Sequence, residues 1–185
     1  MQFAESEWVS LVCWSSTHRA LARIDARAEI SESGISVFRY VLRADMSRVS
    51  IPAEHPPVRA DDLWKHTCFE AFVGAPGAEG YCELNFAPSR QWAAYRFTAY
   101  RQGMSSPDFP EPPQISVRRF GDRLELDAAV PLRDFMVPQG VLRFRVGLSA
   151  VIEEENGTLS YWALKHPPGK ADFHCPDGFV LELKM

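Results

Sequence analysis

With four cysteines in 185 residues, the chain has too few for a disulfide scaffold, and Cys13, Cys68, Cys82 and Cys175 lack the CxxC spacing of zinc sites. Basic residues are not in excess: 20 Lys and Arg stand against 24 Asp and Glu, a net charge of −4. The cations are scattered, so no electrostatic footprint for nucleic acid or anionic lipid exists. No apolar run approaches the roughly 20 residues that cross a bilayer as a helix. The nucleophile elbow, HExxH and the glycine-rich phosphate loop are missing, which removes the common signatures of serine hydrolases, zincins and nucleotide binders. Residues 1–14 carry Glu5 and Glu7 where a secretory signal has positive charge, and Ser10 interrupts their apolar stretch. The expectation is a reduced, cytoplasmic protein with four free thiols.

Sustained 3.6-residue periodicity is also missing, whereas period-2 alternation recurs along the chain. Ile24, Ala26, Ala28 and Ile30 alternate with Arg23, Asp25, Arg27 and Glu29. Leu124, Leu126, Ala128 and Val130 alternate with Arg123, Glu125, Asp127 and Ala129. The clearest case sets Leu142, Phe144, Val146, Leu148, Ala150 and Ile152 against Arg143, Arg145, Gly147 and Ser149. Turn chemistry separates these runs at 31–34, 74–80, 87–89, Gly121-Asp122 and Asn156-Gly157. With further strands at 8–14 and 179–183, about ten are expected. They predict one all-β domain over residues 1–185, an antiparallel β-sandwich of jelly-roll type. A short helical turn is expected at 132–136, and the proline-rich run 107–113 reads as a surface loop.

Residues 62–72 read as a strand with costly polar groups on a face that also bears an indole. Alternation puts Trp64, His66, Cys68, Glu70 and Phe72 on one side. A face mixing indole, imidazole and carboxylate either satisfies a buried network or lines a ligand site. The next run, 81–86, puts Tyr81, Glu83 and Asn85 on one face; beyond the Pro88 turn, Trp92, Ala94, Arg96 and Thr98 share another. If the register joins the polar faces, Trp64, Glu70, Glu83, Asn85 and Arg96 converge. Carboxylate, amide and guanidinium groups match vicinal hydroxyls, and an indole covers the apolar C–H face of a sugar ring.

The runs LWKHTCFEAFV, YCELNFAPSRQWAAYRF, LSAVIE and GTLSYWALKHPPGKADFH resemble the bacterial DOMON-like proteins, a sandwich group similar to family-9 carbohydrate-binding modules and to haem-binding DOMON domains. The resemblance spans residues 24–183 and implies the same fold. In the sugar-binding modules a tryptophan and a glutamate on the opening strand, a downstream arginine and a second tryptophan near the C-terminus hold the sugar; Trp64, Glu70, Arg96 and Trp162 are the matching positions. In the haem-binding members a methionine and a histidine ligate iron, which here would require Met46 or Met104 with His166 or His174.

Each residue has a plainer reading beside the functional one. Trp64, Trp92 and Trp162 could be core aromatics, and Glu70 with Arg96 a buried salt bridge that binds nothing. His66 could simply be satisfied by a backbone carbonyl. His166 and His174 sit in a proline-bearing loop, which places them toward a site rim. Three functions follow. The first is a non-catalytic module that binds a saccharide or related polyol and needs no cofactor or metal. The second is haem-dependent electron transfer. The third is an enzyme using Glu70 and Glu83 as a glycosidase-like pair, or His66, Glu70, His166 and His174 as a metal site. The first is the principal reading.

Overall fold

A computed structural model describes residues 3–5, 7–14, 22–31, 33–109, 111–132 and 143–184. Among them, two antiparallel sheets stack face to face. The first, six-stranded, has the order β1 (Phe3–Glu5)-β4-β5-β10-β9 (Gln114–Arg119), with β2 also pairing β4; the second, seven-stranded, runs β3-β12-β11-β6-β7-β8, with β13 (Leu181–Lys184) also pairing β11. Its long elements are β4 (Ala22–Ser31), β5 (Ile35–Ala44) and β10 (Arg123–Pro131) in the first sheet, and β6 (Cys68–Gly74), β7 (Tyr81–Phe86), β8 (Trp92–Phe97), β11 (Arg143–Glu153) and β12 (Leu159–Ala163) in the second. Residues 8–14 supply two short strands: β2 (Val9–Ser10) joins the first sheet and β3 (Val12–Cys13) the second, so the chain changes layer at Leu11.

The alternation is realised where it was clearest. Ile24, Ala26, Ala28 and Ile30 of β4, Leu124, Leu126, Ala128 and Val130 of β10, and Phe144, Val146, Leu148, Ala150 and Ile152 of β11 fill the space between the sheets. Burial of such apolar side chains, roughly 1.5–3 kcal/mol each, is the main stabilising effect. Arg143 and Arg145 point away, the latter donating to the Phe179 carbonyl at 3.0 Å. Leu142 and residues 133–136 of the expected helical turn lie outside the described residues; Leu132 is buried. Asn156-Gly157 turns β11 into β12, with Gly157 at φ 82°, a left-handed conformation that costs glycine nothing.

The outer faces differ. That of the first sheet is a lattice of ion pairs, including Arg43 with Asp25 and Arg39 with the buried Glu29, both at 2.7 Å. The outer face of the second carries a separate apolar cluster of Phe72, Tyr81, Ala93, Tyr95, Phe97 and Phe179, with Leu63 and Phe173 against it. Loops fold over this face. Gly147 of β11 makes room for one of them: a Cβ there would stand 2.8 Å from the Phe179 ring. Phe179 thereby seats the segment that follows β12 on the sheet.

Candidate functional site

The β6–β7 register places Glu70 opposite Asn85 and Phe72 opposite Glu83, and β7–β8 places Glu83 opposite Tyr95 and Tyr81 opposite Phe97. Period-2 geometry therefore gathers Glu70, Glu83 and Asn85 on the outer face, flanked by aromatic rings. Above them lies a cavity of about 570 Å³. Its floor is Glu70 and Glu83; the walls include Trp64, Tyr95, Phe97 and Tyr161; Arg101, Asp172 and His174 reach in from loops.

Glu70 is 3% exposed, and its Oε1 makes no hydrogen bond. Burial, and then the neighbouring Glu83, push its carboxyl well above the usual range. Its backbone carbonyl accepts from Tyr40, a core tyrosine of β5, at 2.7 Å, which ties the strand to the facing sheet. Glu83 accepts from Asn85 Nδ2 at 2.7 Å, while Asn85 Oδ1 has no partner. Burial raises the Glu83 carboxyl as well, with Asn85 and Arg101 acting against it. Two buried carboxyl groups thus stand side by side with spare acceptor capacity.

The loop wall is a polar network. Asp172 accepts from Tyr100, from Arg101 Nη2 at 2.8 Å and from the His174 backbone N–H at 3.1 Å. Burial would raise its carboxyl, yet Tyr100 and Arg101 outweigh that and hold it low. The His174 ring packs edge-on against Phe72 and Phe97, with Nδ1 2.8 Å from the Tyr81 hydroxyl. Burial, then Arg101, push its imidazole down to about 4. On the opposite rim the Tyr95 hydroxyl donates to Asp61 at 2.6 Å. Asp62 and Arg101, two of the three non-glycine residues with positive φ among those described, both line the cavity. Backbone in that region concentrates at ligand sites.

Several expected positions differ. Trp64 is not on the strand of Glu70: residues Leu63–Lys65 form a 3-10 turn, with His66 N–H closing on the Leu63 carbonyl, and β6 begins only at Cys68. Trp64 still reaches the cavity, 46% exposed, from its rim. His66 points away, Nδ1 2.9 Å from Glu153 Oε2. Arg96 pairs across from Cys82 and shares its parity with Trp92 and Ala94, which face the inter-sheet core; Tyr95 and Phe97 take the cavity side. A Glu70–Arg96 bridge is thus ruled out by strand parity, and Arg101 is the guanidinium at the cavity. Trp162, opposite core residue Ala150, is 3% exposed and donates to Ser160 Oγ at 2.9 Å. The neighbouring Tyr161 lines the cavity instead. His166 Nε2 lies 2.7 Å from the Val12 carbonyl, its ring against Trp14, and so pins its loop to β3.

His66 and His166 therefore do not join Glu70 and His174 in a metal site, and among the described residues no group of three or more His, Cys, Asp or Glu is placed to hold a metal ion. Of the methionines, Met46 packs against the inter-sheet core, whereas Met104 lines the cavity, as does His174. None of the four cysteines is joined in a disulfide. Sequence reasoning missed Asp61, Tyr95, Arg101, Tyr161 and Asp172. Parity could have found Tyr95, but the loop residues carry no periodic signal.

No family model matches the chain, and no curated protein matches its sequence. Among solved structures it is similar to a candidate carbohydrate-binding protein from Bacteroides uniformis, at TM-score 0.71 and 15% identity over 96% of this chain and 85% of that one. It is also similar to a family 9 carbohydrate-binding module from Caldicellulosiruptor kristjanssonii. In the glucose complex of that module the TM-score is 0.54 and the identity 10%, over 96% of this chain and 83% of that one. In the cellotriose complex they are 0.56 and 11%, over 96% and 81%. At such identities the likeness shows the fold alone, an antiparallel β-sandwich shared with carbohydrate-binding proteins.

Proposed function

We propose that the chain is a non-catalytic saccharide-binding sandwich of the DOMON-like type, and that its sugar occupies the cavity on the outer face of the second sheet. The observation that carries this reading is the buried, unpartnered Glu70 carboxyl at the base of a cavity walled by Trp64, Tyr95 and Tyr161. An unpaired polar group in a buried position costs about 1–3 kcal/mol, a cost that a hydroxyl-bearing ligand would offset. The aromatic walls offer apolar faces for sugar C–H groups, and Glu70 and Glu83 offer acceptors for neighbouring hydroxyls, with Asn85 buried behind Glu83 and donating to it. Occupation of the same fold by glucose and cellotriose in the Caldicellulosiruptor module adds support.

Isothermal titration with glucose, cellotriose and a panel of other mono- and oligosaccharides tests it. The expected result is saturable binding that Trp64→Ala abolishes while the variant keeps its fold. A wild-type protein that binds no member of a broad glycan panel at millimolar concentration would defeat the proposal.

A further inference from the structure

The charge lining this cavity is lopsided. Among the described residues that line it, Asp61, Asp62, Glu70, Glu83 and Asp172 contribute five carboxyl groups and Arg101 one guanidinium, with Arg59 behind the wall on Asp61, Tyr95 and Ser106. Three of the five are already engaged. Asp61 accepts from Tyr95, Asp62 lies 2.7 Å from Lys65 Nζ, and Asp172 holds Arg101 at 2.8 Å. Arg101 is thereby committed to Asp172, and the Glu70–Glu83 pair on the floor receives only the neutral amide of Asn85, with His174 Nε2 3.6 Å from Glu83 Oε2. Glu70 lines the cavity, and its buried Oε1 has no hydrogen-bond donor.

Resting on the saccharide reading, we infer that the cavity selects a sugar carrying a free ammonium group, an amino sugar, with the ammonium seated between Glu70 and Glu83 and the ring covered by the aromatic walls. A cation there supplies several N–H donors to acceptors that lack them and offsets the charge that the pair takes on when it ionises. The rings of Tyr95 and Trp64 already bear Arg59 and Lys65, each 5.6 Å from the ring centre, so these walls contribute cover for the sugar and not a further cation contact. Acidic sugars are disfavoured for the converse reason, since a desolvated ligand carboxylate would meet the Glu70–Glu83 floor with Arg101 already held by Asp172. N-acetylation removes the charge and with it the advantage. Burial of Glu70 and Glu83 disfavours their ionised forms when the cavity is empty, so seating the ammonium should release protons.

Titration calorimetry of the whole protein in neutral buffer tests this with five probes: glucosamine, N-acetylglucosamine, glucose, glucuronate and cyclohexylamine. Glucosamine should bind about tenfold or more tighter than glucose and N-acetylglucosamine, with glucuronate weakest. Its heat should vary with the ionisation enthalpy of the buffer, the signature of proton release. Glu70→Gln, which keeps shape and removes charge, should bring glucosamine down to the level of glucose while leaving the circular dichroism spectrum unchanged. Glucose binding as tightly as glucosamine overturns this inference and leaves the saccharide reading standing. Cyclohexylamine binding as tightly as glucosamine overturns the amino-sugar assignment in favour of simple amines. Absence of binding by every probe and by the wider glycan panel overturns both.

Discussion

His174 Nε2 lies 3.6 Å from Glu83 Oε2, so a base carried by the loop after β12 meets a carboxyl carried by β7 at the cavity floor. Both are pushed toward neutrality, because neither sees enough water to be charged freely and the distance is too long for a tight ion pair.

That pairing has a pH consequence. The folded imidazole titrates at about 4, against 6.5 when unperturbed, so the unfolded chain takes the proton first as pH falls. Its stabilising contribution is complete above about 6.5 and is lost between there and about 4. Glu83, raised on folding, works in the opposite sense: its contribution is complete below the unperturbed carboxylate value and is lost as pH rises through its folded pKa. His174→Phe, which suits the rings of Phe72 and Phe97, should therefore retain roughly 3 kcal/mol of stability that the wild type loses on acidification. Urea denaturation near neutrality and near pH 4 measures the difference. An unchanged profile would mean that the imidazole is freely hydrated.

The two tryptophans proposed for sugar stacking should separate cleanly. Trp162→Ala empties a core position and is expected to cost about 3 to 5 kcal/mol. Trp64→Ala removes a half-exposed ring at the rim and should cost about 1 kcal/mol. Thermal melts rank the stabilities, and saccharide titration of the folded variants should show loss of binding for Trp64→Ala.

The two arginines should separate in the opposite way from the sequence expectation. Arg96→Ala alters a side chain on the far face of β8 and should leave saccharide affinity within about twofold. Arg101→Ala strips Asp172 of its guanidinium partner and loosens the wall that carries His174; affinity should fall by about 1.5 to 3 kcal/mol, the worth of a charge-assisted contact. Parallel titrations decide it, and a large loss in the Arg96 variant alone would contradict the assignment.

Gly147→Ala should cost about 1 to 3 kcal/mol by overpacking, since the added carbon would stand 2.8 Å from the ring of Phe179 and 3.4 Å from the Gly178 carbonyl. Adding Phe179→Leu should recover part of that loss, a non-additivity that thermal denaturation of the double variant would show. Because Phe179 seats the loop bearing Asp172 and His174, weakened ligand binding should accompany the lost stability.

The alternation along β4, β10 and β11 determined the sandwich and most of its core by itself, because a two-residue period assigns each side chain to a face once the other face is charged. The same parity, with Glu70, Glu83 and Asn85 in adjacent strands, makes the carboxyl floor legible in the chain itself. It failed where both faces are apolar. On β8 and β12 polarity could not say which side met the core, so Arg96 and Trp162 were each set one position away from Tyr95 or Phe97 and Tyr161. Only the tertiary structure decided that Leu63–Lys65 is a turn, that Trp64 reaches the cavity from its rim, and that Arg101, Asp172 and His174 close it. Their positions depend on where loops seat, through contacts such as Phe179 over Gly147 and His166 on Val12, and such long-range packing leaves no period in the chain.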